Sequence, residues 1–246
     1  MTTSQAIKSK NVEDSHFVSL PLSLHPEMVA KLNNFQNSVL GTNKGLGIEK
    51  SIFINPKTLH LTVQMLKLWN TDRIEAAAEV LRCVSPKVID ALERRPVYIR
   101  LKGLACMKDR GTPAKAYVVH APLEVIGGKS RLLRACQVII DAFTEAGLVL
   151  EKDANHKLEL HATIMNAQHR RSKKKSEKTD PFDARPIFAQ YGSEEWGECH
   201  IREVHLSQRY VYDSNGYFHC CASIPFPEET RGVFPMMKNF FQKMFS

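Results

Sequence analysis

"KLELHATIMN", residues 157–166, alternates with a period of two. Leu158, Leu160, Ala162 and Ile164 fall on one side, and Glu159, His161 and Thr163 on the other, the pattern of a strand with one buried face. "KTLHLTVQMLK", residues 57–67, repeats it: Leu59, Leu61, Val63 and Met65 face one way, and Thr58, His60, Thr62 and Gln64 the other. Both strands carry His-x-Thr. Positions i and i+2 of a strand project to the same face, so each motif sets an imidazole beside a hydroxyl, about 6–7 Å apart along the backbone. The apolar faces fix which side is buried. One His-x-Thr on a strand is most simply a polar face in water. Two copies, about one hundred residues apart in strands of matched pattern, point to a shared site.

The surrounding elements extend the duplication. Residues 16–22 read as a strand, and 26–40 have helical spacing through Met28, Leu32, Phe35 and Val39. A helix follows from Thr71 or Asp72 as N-cap, with Ile74, Ala77, Ala78 and Leu81 as its stripe, and Pro86 is expected to start a second helical piece. Residues 97–105 and 115–121 read as paired strands around "KDRGTP", and 128–146 as a helix closed by Gly147. A short helix is expected over 184–191. Residues 198–213 and 217–224 read as a hairpin around Asn215-Gly216. Hairpins mean antiparallel pairing, so the fold class is α+β. In each half a helix leads into a His-x-Thr strand, which predicts two pseudo-symmetric lobes of antiparallel sheet with a cleft between them.

Composition narrows the class. The chain has 246 residues, 43% hydrophobic and 24% charged, enough for one large domain or two lobes sharing a core. A net charge of +8 favours polyanionic partners, nucleic acid or a phosphate surface. Part of that excess sits in "HRRSKKKSEK", 169–178, a solvated loop unless it serves nuclear import or RNA contact. The six cysteines form no CxxC pair and read as buried small hydrophobes in a reducing compartment, nucleus or cytoplasm. The N-terminus lacks the apolar run of a signal peptide, and no stretch reaches membrane-spanning length. Residues 1–14 read as a flexible N-terminus. The tail, 226–246, places Phe234, Met237, Phe241 and Met244 on one helical stripe; it packs on its own domain or docks a protein partner or membrane surface.

Two imidazoles and two hydroxyls meeting in a cleft suit phosphodiester chemistry without a metal. A neutral His takes a proton from the attacking oxygen, and a protonated His gives one to the leaving oxygen. The hydroxyls donate to the non-bridging oxygens, where charge develops. Imidazole suits both roles because its ordinary pKa is near 6.5; which histidine takes which role stays open. Strand parity puts His205, Ser207 and Arg209 on one face, with Val204, Leu206, Tyr210 and Tyr212 on the other. Arg209 is then a candidate phosphate ligand, Ser207 a further donor, and Phe17 a base-stacking residue or core filler. Gln64 and Glu159 share the faces of the histidines and are candidates to orient a ligand. His156 and His161 have poor metal spacing, and no zinc or other cofactor is expected.

"HLTV" at 60–63 and "HATI" at 161–164 resemble the signatures of the two-histidine phosphoesterases, the LigT-like superfamily. "HFVSLPL", "SIFINPKTLHLTVQMLKL", "GLVLEKDANHKLELHATIMN" and "VHLSQRYVYDSNGYF" are similar to the phosphoesterase domain shared by activating signal cointegrator 1 complex subunit 1 and A-kinase anchor protein 7-type proteins. The resemblance covers residues 15–225, with 167–183 as a basic insertion. It implies two lobes of antiparallel sheet with helices outside, and His60, Thr62, His161 and Thr163 as the catalytic and phosphate-binding quartet. It also implies 2′,5′-linked or 2′,3′-cyclic nucleotide or RNA phosphodiesters as substrates, or nucleotide binding without turnover. A place in a transcription-coactivator complex is a further expectation.

Overall fold

A computed structural model describes residues 13–42, 46–107, 111–149, 158–170 and 179–229. Most of the basic run and nearly all of the amphipathic tail therefore lie outside the described residues. In chain order the main elements are β1 (His16–Pro21), α1 (Pro26–Thr42), β2 (His60–Leu66), α2 (Thr71–Ala91), β3 (Val97–Lys102) and β4 (Ala105–Cys106). There follow β5 (Gly111–Thr112), β6 (Lys115–Ala116), β7 (Val118–Ile126), α3 (Lys129–Glu145) and β8 (His161–Asn166). The last are α4 (Arg185–Tyr191), β9 (Glu195–Ile201), β10 (Glu203–Tyr212) and β11 (Phe218–Pro225).

The principal sheet runs β11-β10-β1-β2-β8-β7-β3-β9, antiparallel throughout, with β4 added beside β7. The two expected lobes are its halves, joined where Leu61 of β2 pairs with Ala162 of β8. Only Arg202 separates β9, at one end of the order, from β10, near the other. A flat sheet cannot bring those ends so close, so this one curls into a half-barrel. Helices α2 and α3 pack on each other, α2 lies against β11, and α1 lies against β9. Their stripes meet Val18, Leu20, Leu61, Val63, Ala162 and Ile164 in one continuous core. Burial of this apolar face supplies the main driving force.

The two halves repeat at a constant step of 101 residues. "VSLP", 18–21, becomes "VHAP", 119–122, just as His60 and Thr62 become His161 and Thr163. Pairing follows the same step. Pro21 lies across from His60 and Pro122 from His161; Ser19 lies across from Thr62 and His120 from Thr163. Each half carries a bulge at the same place, between Val18 and Ser19 and between Val119 and His120. Each bulge leaves one residue of the motif strand without an opposite, Val63 and Ile164.

Several boundaries differ from the sequence reading. Both strands begin at their histidines; before β2, Pro56–Thr58 form a 3₁₀ turn capped by the Asn55 side chain. The bulge reverses the alternation, so Met65, rather than Gln64, shares a cavity with His60 and Thr62. Asn70 caps α2 by accepting from the Arg73 backbone N–H, in place of Thr71 or Asp72. Pro86 does not start a new helix. It sits inside α2 on the exposed side, while Val84 and Val88 bury on either side of it, and packing outweighs the lost hydrogen bond. Residues 198–213 are two strands: β9 pairs with β3, and β10 pairs with β1 and β11.

Leu61 has no exposed surface and sits where the halves join. Leu61→Ala should cost about 2–5 kcal/mol in urea unfolding. A change within about 0.5 kcal/mol of zero, the range of surface substitutions, would contradict this placement.

Candidate active site

The pairing of Leu61 with Ala162 in antiparallel strands sets His60 opposite Thr163 and Thr62 opposite His161. Leu61 and Ala162 are fully buried, so the four polar side chains share the other face. Diagonal residues of such a pair lie about 7–8 Å apart, a span that one phosphate group can bridge. The four side chains converge as neighbours on adjacent central strands.

Each imidazole is held in the same way. His60 Nδ1 lies 2.7 Å from the carbonyl oxygen of Thr58, and His161 Nδ1 lies 2.7 Å from that of Glu159. A carbonyl only accepts, so each Nδ1 carries the proton and donates it. That fixes the tautomer and leaves Nε2 of each ring to act on a ligand. These two carbonyls also stand at the 101-residue step.

The surroundings of the two rings are unequal. A cavity of about 630 Å³ is lined on this face by His60, Thr62, Met65, Thr163, Asn166 and Phe17, among others. His60 stands in its wall, 4.9 Å from the ring of Phe17 and 5.5 Å from that of Phe218. Burial lowers the His60 pKa to about 4, against the raising effect of its bond to the Thr58 carbonyl; the nearby His161 lowers it further. His60 is therefore neutral at neutral pH. His161 is not among the lining residues. Its ring lies 4.8 Å from that of His120.

The other expected contacts divide. Phe17 is 3% exposed, yet its ring edge forms part of the cavity wall with Phe218. Arg209 lines the cavity; its Nη1 donates to the Asp14 carbonyl at 2.7 Å and its Nη2 to the Tyr210 hydroxyl at 2.6 Å. Ser207 is fully buried, 3.0 Å from Ser19 Oγ, so its hydroxyl is engaged inside the sheet and is not brought to the cavity. Gln64 donates to the backbone of Met65, and Glu159 precedes the strand, contributing its carbonyl to His161.

Besides Met65, several residues of the site's surroundings escaped the sequence reading, among them Tyr210, Tyr212, Phe218 and His120. Tyr210 and Tyr212 line the same cavity as Arg209, against the expected alternation. Tyr210 has φ 62°, a left-handed backbone that breaks the strand's period of two. Phe218 follows the hairpin turn and carries no signal in one sequence. His120 could have been found by laying "VHAP" on "VSLP". Among the described residues, no group of three or more His, Cys, Asp or Glu side chains could hold a metal ion. No described helix is long and apolar enough to cross a membrane.

Comparison with known proteins adds family and fold. A family model described as the AKAP7 2′5′ RNA ligase-like domain matches residues 14–226. Activating signal cointegrator 1 complex subunit 1 of Mus musculus is 29% identical over 228 residues, covering 86% of this chain and 63% of that protein. A-kinase anchor protein 7 isoform gamma of Homo sapiens is 20% identical over 226 residues, covering 92% of this chain and 61% of that protein. The chain thus spans less than two thirds of the length of either relative. E. coli LigT in complex with 3′-AMP shares the fold at a TM-score of 0.52 and 11% identity, covering 87% of this chain and 99% of that one.

Imidazole NMR should find His60 protonated on Nδ1 alone at neutral pH and taking up its second proton near pH 4. A midpoint near the ordinary 6.5, or a proton on Nε2 in the neutral ring, would contradict the bond to Thr58 and the dry setting.

Proposed function

The chain belongs to the AKAP7 2′5′ RNA ligase-like domain family, within the LigT-like two-histidine phosphoesterases, and on that premise we propose that it is a metal-independent phosphodiesterase acting on nucleotide or RNA phosphodiesters, 2′,5′-linked or 2′,3′-cyclic. One observation carries this reading: two imidazoles, each with Nδ1 tied to the carbonyl two residues back, present Nε2 on the same sheet face. The similarity in fold to LigT, whose structure holds 3′-AMP, supports a nucleotide in the cavity.

The reaction we propose uses the neutral state of His60 and the placement of the four side chains. Neutral His60 takes the proton of the attacking water or ribose hydroxyl through Nε2 as the new P–O bond forms. His161 gives its Nε2 proton to the departing oxygen as the old P–O bond breaks. Thr62 and Thr163 donate to the non-bridging oxygens, whose charge grows in the transition state. Phe17, Phe218 and Tyr212 offer ring faces and edges against which a base can stack, and Arg209 supplies a cation at the rim. The six free cysteines fit a reducing compartment, nucleus or cytoplasm.

A second reading is a nucleotide-binding subunit without turnover. The names of the two relatives favour it, since one is a complex subunit and the other an anchor protein. Binding of AMP or CMP with no cleavage of any tested diester would decide for it.

Under the lead reading, His60→Ala and His161→Ala each lower the rate on a 2′,3′-cyclic or 2′,5′-linked diester by about 10²–10⁴-fold. Circular dichroism should stay unchanged, and EDTA should leave the wild-type rate intact. Full activity in both variants would contradict the mechanism. The wild-type rate should also fall as pH drops through about 4, where His60 gains a proton and loses its basic lone pair.

A further inference from the structure

The two halves match at the histidine, the threonine, the proline across from the histidine and the carbonyl that holds the ring. They part at the position across from the threonine, on the strand beside the motif. In the first half it is Ser19, fully buried and within hydrogen-bond distance of Ser207 and Tyr217. In the second half it is His120, across from Thr163, with its ring against His161. His120 Nδ1 is buried with no hydrogen-bond partner. A buried polar atom left alone costs stability and calls for a reason.

We propose that His120 is a positioning residue for His161: an imidazole whose ring braces that of His161 and so gives the second half the acid role. A neutral imidazole offers a lone pair and a π face to a neighbouring imidazolium, and both attract the charge. A second proton on the same pair is opposed, because two positive rings would then touch. Among the described residues, the titratable groups that act on His120 are His161 on β8 and Glu159 just before it, while Ala105 of β4 stands across from it on the other side. Burial, and then the charge of His161, lower the His120 pKa to about 4, against a raising effect of Glu159, so His120 stays neutral where the enzyme works. Among the described residues, His60 packs against phenyl rings and no second imidazole, and it serves as base. The assignment rests on the phosphodiesterase reading given above.

Two measurements test it. The first compares wild type with His120→Ser, which copies the first half, on two esters of one nucleotide. One ester has a sugar alkoxide as leaving group, which needs a proton. The other has p-nitrophenolate, which leaves without one. His120→Ser should lower kcat on the alkoxide ester by at least about tenfold, short of the about 10²–10⁴-fold of the acid itself. KM, and the rate on the p-nitrophenyl ester, should hold. Equal loss on both esters, or none on either, overturns the proposal. The second measurement follows the His120 imidazole by NMR in wild type and His161→Gln. Its midpoint, near 4 in wild type, should rise in the variant; an unmoved midpoint shows that the rings are uncoupled and also overturns the proposal. If wild type cleaves neither ester, the phosphodiesterase reading fails, and the NMR titration alone decides whether the two rings act as a pair.

Discussion

The contact between β2 and β8 is narrow, a single pairing of Leu61 with Ala162, and the site depends on it. Without it the molecule would be two half-sheets, each with one histidine and one threonine. With it, the buried Leu61 and Ala162 force the residues on either side of them to the other face, and two half-sites become one. A slip of one strand by one residue would send its histidine and threonine into the core. Hydrophobic burial on one side of these strands is therefore what aligns the chemistry on the other.

Duplication supplies a symmetric frame, and acid–base catalysis needs an asymmetric one, because one ring must be neutral while the other holds a proton. The protein breaks the symmetry through neighbours rather than through the motif. Phe17 and Phe218 pack beside His60, whereas His161 meets another imidazole. The backbone bonds that fix the two tautomers are the same, at 2.7 Å in each half. On the proposed mechanism, the difference in role would arise from packing beside a fixed motif, which a few substitutions can change.

Much of this was legible in the sequence because the strand period is short and the motifs are local. That His60 and Thr62 share a face, and His161 and Thr163 another, follows from alternation; that the two pairs meet follows from the duplicated order of elements. What was not legible depends on breaks in that period. The bulges opposite Ser19 and His120 exchange Gln64 for Met65 in the cavity, and the left-handed backbone of Tyr210 brings it beside Arg209. Ser207 has the parity of a ligand, yet it is spent on Ser19, a partner 188 residues away that strand patterning cannot foresee. Pro86 shows the opposite error, a strong local signal overruled by the packing of Val84 and Val88.

The most direct test of a two-histidine site is a crystal structure of the protein with a nucleoside 3′-monophosphate. The phosphate should lie within hydrogen-bond reach of Nε2 of both His60 and His161 and of the hydroxyls of Thr62 and Thr163, with the base in the cavity beside Phe17 and Phe218. A phosphate bound elsewhere, or held by one histidine while the other points away, would contradict the account.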